Sequence, residues 1–210
     1  MNHNSESRSG EPHRRCRVAV FVSGGGTNLQ VLLDAQAAGT LRSGEITLVI
    51  ASKPGVFALE RAKQAGVPAF AISRRDLGLP AFEAQCLQLL DEHRIDFIVT
   101  AGFLTILSED FVRRFPNRII NVHPALLPSF GGQGYYGLRV HEAALARGVK
   151  LTGATVHFVN EVCDGGPIIA QKAVEVLPND TPETLQRRVM EQAEWLLLPQ
   201  ALETLCAAGS

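Results

Sequence analysis

The chain has 210 residues, 46% of them hydrophobic, which suits one compact domain with a full core. A formal net charge of −1 argues against a nucleic-acid or other polyanionic partner, and no apolar run approaches the ~20 residues of a membrane helix. Cys16, Cys86, Cys163 and Cys206 lie far apart without metal-ligand spacing, as expected of reduced thiols in a cytoplasmic protein with no bound metal.

Met1 to His13 is polar and lacks the apolar segment of a signal peptide, so residues 1–14 read as a disordered tail ahead of a domain over 15–207. Arg17 to Val22 is a β-branched run, a first strand. Ser23-Gly24-Gly25-Gly26-Thr27-Asn28 follows, then Leu29 to Ala38 at helical spacing. Strand, glycine-rich turn and helix aim backbone N–H groups at an anion, and the glycines leave no Cβ in its way. Thr27 or Asn28 is expected to cap that helix. The turn is neither a Walker A loop nor a GxGxxG fingerprint; its three consecutive glycines favour phosphate binding over a plain tight turn.

Ile46 to Ala51 reads as a second strand, Phe57 to Ala65 as a helix closed by Gly66, and Pro68 to Ile72 as a short third strand. Leu79 to His93 is amphipathic, with Phe82, Cys86, Leu89 and Leu90 on one face. Ile95 to Thr100 is a fourth strand. It runs into Ala101 to Leu107, an apolar segment that suits a pocket wall for a flat ligand as well as plain core. Ser108 caps a short helix to Phe115. Ile119 to His123 is a fifth strand, on which Asn121 and His123 share a face. Pro124 and Pro128 force the chain out of the sheet just beyond. That leaves an amide and an imidazole at the carboxyl end of a strand, where ligands sit in open α/β sheets; a capped strand end with a surface histidine is the bland alternative.

The second half opens with a glycine-rich loop carrying Tyr135 and Tyr136. A helix over Leu138 to Arg147 follows, then a strand over Leu151 to Asn160, expected at a sheet edge. His157 on that strand reads as a satisfied structural residue. Asp164-Gly165-Gly166-Pro167 reads by itself as a turn between strands, on a loop able to approach another segment. Ile168 to Val176 is a further strand, and Thr181-Pro182-Glu183 starts a long helix running toward Leu205. Alternating strands and helices imply right-handed βαβ units. The fold expected is a single α/β, Rossmann-like domain, with a mostly parallel central sheet flanked by helices and an antiparallel C-terminal strand region.

Five ordered motifs, Ser23 to Gln30, Ala101 to Leu107, Asn121 to Pro128, Gly153 to Val159 and Asp164 to Pro167, resemble the phosphoribosylglycinamide formyltransferase family of folate-dependent enzymes in purine synthesis. The resemblance spans about Arg17 to Leu205. It implies transfer of a formyl group from 10-formyltetrahydrofolate, a co-substrate, to the amine of glycinamide ribonucleotide. Both partners are small molecules, no metal, nucleic acid or membrane is needed, and the enzyme is a monomer or homodimer. By the same resemblance Asn121, His123 and Asp164 match the catalytic residues. Gly26, Thr27 and Asn28 match the loop on the substrate phosphate. Glu194 matches a ribonucleotide contact, and Leu104, Thr105, Ile106 and Leu107, with Asn121, match the folate contacts.

The chain departs from the family pattern in four places. Thr105 stands where an Arg is common. Leu79 aligns with a basic folate contact, with Arg74 and Arg75 upstream. The loop Phe130 to Gly137 is longer than usual. Trp195-Leu-Leu-Leu-Pro199 replaces His-x-x-Tyr-Pro after Glu194. Relatives of the superfamily that formylate methionyl-tRNA carry a basic C-terminal domain, and deformylases carry an extra N-terminal one. Neither is expected here. A non-catalytic nucleotide-binding module would explain the glycine-rich turn but not Asn121, His123 and Asp164 together. For the chemistry, Asn121 and a protonated His123 are expected to donate to the formyl oxygen, with Asp164 raising the His123 pKa.

Overall fold

The computed structural model describes residues 14–209. The tail expected over residues 1–14 therefore lies, apart from Arg14, outside the described residues. Among the described residues seven strands form one sheet in the order β3-β2-β1-β4-β5-β6-β7. They are β1 (Cys16–Val22), β2 (Gly44–Ala51), β3 (Ala69–Ala71), β4 (Phe97–Thr100), β5 (Ile119–His123), β6 (Leu151–Phe158) and β7 (Ile168–Glu175). All pairings up to β4–β5 are parallel; β6 is antiparallel to β5 and β7 to β6. The expected fold class holds. One detail is corrected: β6 is an inner strand and β7 forms that edge, so the Thr/Val/His/Phe alternation of β6 reflects two covered faces rather than an exposed edge.

The period of two along each strand divides the core. Val18, Val20 and Val22 of β1 face one layer, built from α1 (Thr27–Ala37), α2 (Phe57–Gln64), α5 (Leu138–Arg147), α6 (Pro182–Val189) and α7 (Trp195–Ala208). Ala19 and Phe21 face the other, built from α3 (Arg74–Glu92) and α4 (Glu109–Arg113). Ile119 of β5 packs into the second layer. Asn121 and His123 share its parity and continue that face past the end of the hydrophobic core.

Local chemistry explains the helix ends. Ser108 and Thr181 accept from Phe111 N–H and Thr184 N–H, and Pro182 occupies the first turn of α6. Gly66 takes a left-handed φ of 70° after α2. Gly78 (φ 73°, ψ 167°) splits α3 into a short turn and the amphipathic helix that sequence places from Leu79. The long C-terminal helix is not continuous: a π turn, Met190–Glu194, separates α6 from α7. The extra residue it inserts rotates Glu194 inward to a buried position.

Candidate active site

The strand order reverses between β1 and β4, the switch point at which α/β sheets open a ligand crevice. Loops from both strands meet there. Ser23 N–H donates to Gly102 O at 3.2 Å, and Leu104 N–H donates to Ser23 Oγ at 2.9 Å. A cavity of about 580 Å³ runs from Thr27 and Asn28 past Gly102 to Leu107 to the end of β5. In the Ala101 to Leu107 segment both readings of the apolar run apply. Phe103 stacks on Phe82 and meets Phe21 edge-on at 5.3 Å, while Leu104 and Ile106 stay about 60% exposed (61% and 60%) and line the cavity with Thr105 and Leu107.

At the end of β5, Thr100 Oγ1–H donates to Asn121 Oδ1 at 2.9 Å, which turns the Asn121 amide nitrogen the other way. That nitrogen lies 3.1 Å from His157 Nε2. His157 Nδ1–H donates to Phe158 O at 2.8 Å, so Nε2 is the lone-pair nitrogen that accepts from Asn121. The hydrogen positions follow from this network. His157 thus lines the site beside Asn121, with both ring nitrogens satisfied as expected of a structural residue. Its place follows from register: in the antiparallel pairing of β5 with β6, His157 stands directly opposite Asn121 and Thr155 opposite His123.

His123 is buried, with 4% exposure. Its Nε2–H donates to Phe130 O at 2.7 Å, leaving Nδ1 3.5 Å from Asp164 Oδ2. Asp164 Oδ1 is 3.6 Å from His157 Nε2, and Gly132 N–H donates to Asp164 Oδ2 at 2.9 Å. The Asp164 turn reaches the site because Gly166 lies against β6, where a Cβ would stand 1.8 Å from Phe158 O. The long loop after Pro128 is therefore tied to both candidate catalytic groups, through Phe130 O and Gly132 N–H.

Burial pushes the His123 imidazole below its ordinary value. The Asp164 carboxylate and the Phe130 carbonyl oppose that drop without overcoming it, and His157 adds to it. Asp164 acts in the expected direction, but desolvation outweighs it; the ring proton on Nε2 is the one given to Phe130 O. Burial alone would raise the Asp164 carboxyl. A proton shared from His157, the positive charge the imidazoles carry when protonated, and the Gly132 N–H outweigh it and hold the group below the usual carboxylate range.

At the other end of the cavity the cap of α1 is Gly26, not Thr27 or Asn28. Gly26 has a left-handed φ of 73°, and no side chain caps the first turn. A Cβ on Gly26 would meet Ala58 Cβ at 2.7 Å. Gly26 does not line the cavity, whereas the neighbouring Thr27 and Asn28 do. Asn28 is free of capping duty and donates through Nδ2 to Glu194 Oε2 at 2.8 Å, joining the glycine-rich turn to the π turn. Burial pushes the Glu194 carboxyl up to about 7, against the pull of the Asn28 bond. Leu79, Arg74 and Arg75 are not among the cavity's lining residues. No group of three or more His, Cys, Asp or Glu among the described residues could hold a metal ion, and no described helix is long and apolar enough to cross a membrane.

Residues 16–202 match the family model described as formyl transferase. The chain belongs to the formyl transferase family. Among relatives, it is 38% identical over 203 residues to the chloroplastic phosphoribosylglycinamide formyltransferase of Arabidopsis thaliana, covering 96% of this chain and 68% of that protein. It is 44% identical over 195 residues to the trifunctional purine biosynthetic protein adenosine-3 of Drosophila melanogaster, covering 91% of this chain and 14% of the fly protein. Its fold overlays that of glycinamide ribonucleotide transformylase 1 from Symbiobacterium toebii with a TM-score of 0.87 at 37% identity, covering 98% of this formyl transferase and 94% of that chain.

Proposed function

We propose that this formyl transferase moves a formyl group from 10-formyltetrahydrofolate to the amine of glycinamide ribonucleotide. The observation that carries the reading is one continuous cavity with three chemically distinct parts. Thr27 and Asn28, at the N-terminus of α1 just beyond the glycine-rich turn, form the end suited to the substrate phosphate, with Glu194 beside them for the ribose hydroxyls. Exposed Leu104 and Ile106 suit the flat folate ring, and the Asn121, His123, His157 and Asp164 cluster sits where the two would meet.

In this reading the amine nitrogen attacks the formyl carbon, a C–N bond forms and the carbonyl oxygen takes up negative charge. Asn121 Nδ2–H donates to that oxyanion; one of its hydrogens is committed to His157 and the other is available. Neutral His123 accepts the amine proton at Nδ1, and the imidazolium so formed is stabilised by Asp164. Collapse of the tetrahedral intermediate breaks the bond to folate N10, which takes up the proton from the His123 imidazolium, so the ring returns to its neutral form as tetrahydrofolate leaves. Holding the two reactants at contact in a water-poor cleft supplies the remaining acceleration. The partners are these two small molecules, in the cytoplasm, and the enzyme acts as a monomer or homodimer.

The deciding experiment mixes purified protein with both substrates and follows deformylated folate by absorbance and formylglycinamide ribonucleotide by mass spectrometry. Both should appear in equal amounts. Folate deformylation that is independent of the ribonucleotide would instead make the protein a hydrolase.

A further inference from the structure

We propose that Arg61, on α2, is a positioning residue that holds the glycine-rich turn open toward phosphate; this rests on the ribonucleotide reading of that turn. Arg61 Nε–H donates to Gly25 O at 2.8 Å, and its Nη1 donates to Gln30 Oε1, also at 2.8 Å, on the first turns of α1. The guanidinium lies over the Phe57 ring, 4.8 Å from its centroid, which fixes its direction. One turn earlier on α2, Ala58 N–H donates to Gly24 O at 3.3 Å. Two successive carbonyls of the turn are therefore held against α2.

A trans peptide places its N–H opposite its C=O. Fixing Gly24 O and Gly25 O on α2 turns the N–H groups of Gly25 and Gly26 away from it. With the uncapped first turn of α1, they form one set of donors. Space stands open over the loop, since a Cβ on Gly24 or Gly25 meets nothing within 4 Å. Without Arg61 the Gly25–Gly26 peptide is free to rotate, because glycine resists neither orientation. Arg61 acts on the phosphate through the backbone it orients.

The test compares wild type with Arg61→Met, which keeps the apolar stem, and Arg61→Lys, which keeps the charge but has a single head group for two acceptors. Loss of one oriented donor to a charged group predicts a KM for glycinamide ribonucleotide raised about 10–100-fold in Arg61→Met. The kcat and the KM for formyl-folate should stay within about twofold of wild type. Arg61→Lys should fall between the two, and it carries the test alone if the Met variant does not fold. With the dephosphorylated substrate, glycinamide riboside, the penalty should vanish. An equal penalty on both substrates, an unchanged ribonucleotide KM, or a Lys variant indistinguishable from wild type would overturn the brace. Inorganic phosphate titrated by calorimetry reads the brace apart from catalysis, with weaker binding expected in Arg61→Met. A wild type that binds phosphate but never turns over the ribonucleotide would sink the substrate reading and leave the brace standing.

Discussion

The two ends of the cavity are built by different means. The end proposed for phosphate draws on main-chain groups from one short turn, held by contacts with the helix beside it, α2. The end proposed for transfer is made of side chains from β5, β6 and the Asp164 turn, and each is oriented by another: Thr100 turns Asn121, Phe158 fixes the His157 tautomer, and Phe130 fixes His123. Backbone donors need only a permissive local conformation. Side-chain donors need register, burial and a chain of partners. Substitutions at one end should therefore act on ribonucleotide binding, and at the other on the chemical step.

The largest effect on kcat should come from His123→Ala at the transfer end. Removing the group proposed to take the amine proton predicts a kcat lower by about 10²–10³-fold. Both KM values should hold, as should the thermal transition. A variant with near wild-type kcat would break the division of labour between the two ends.

At the phosphate end Gly25→Val is the sharper probe, because its Cβ meets nothing in the protein while Gly26→Val would strike Ala58. Blocking approach to the turn's donors should raise the ribonucleotide KM about 10²–10⁴-fold, equivalent to two hydrogen bonds to a charged group. Calorimetry should show folate binding intact; equal losses for both ligands would mean that the turn serves the fold alone.

Asp164→Asn tests the aspartate as an electrostatic partner. The carboxylate opposes the burial-driven drop of His123, so the histidine pKa should fall further and the ring become a weaker base. Opposite charges at this range are worth about 1–2 pKa units, which predicts a kcat loss of tens-fold with the His123 NMR titration moved to lower pH. Asn serves equally well in a turn, so an active variant with an unmoved titration would reduce Asp164 to a turn residue. His157→Leu removes one hydrogen bond that orients Asn121. About 1 kcal/mol is at stake, a kcat loss of roughly fivefold to tenfold with both KM values unchanged.

A prediction outside the chemical step concerns stability. Glu194 has its folded-state pKa raised to about 7, above its unfolded value. Its protonated form suits the fold, so that contribution is whole below about pH 4 and is lost as pH rises through 7. Glu194→Gln keeps an oxygen for Asn28 and removes the titration. Thermal unfolding should show the variant equal to wild type at pH 4.5 and more stable at pH 8.5, by on the order of 2–3 kcal/mol. A difference that does not vary with pH would place the carboxyl in water.

What the sequence determined alone is what period and punctuation encode. Strand and helix positions followed from apolar spacing, and helix starts at Ser108 and Thr181 from capping chemistry. The glycine-rich turn followed from three residues that tolerate close backbone approach, and the shared face of Asn121 and His123 from the two-residue period of a strand. Five ordered motifs carried the family. Tertiary structure decided the rest. His157 entered the site only through the β5–β6 register, a non-local pairing that no spacing along the chain encodes. The π turn that directs Glu194 to Asn28 packs against β6 and β7, and the apolar spacing along the chain does not mark where it falls. The direction in which the His123 pKa moves was decided by depth: the sequence shows the aspartate that would raise it, and only the fold shows the desolvation that outweighs it.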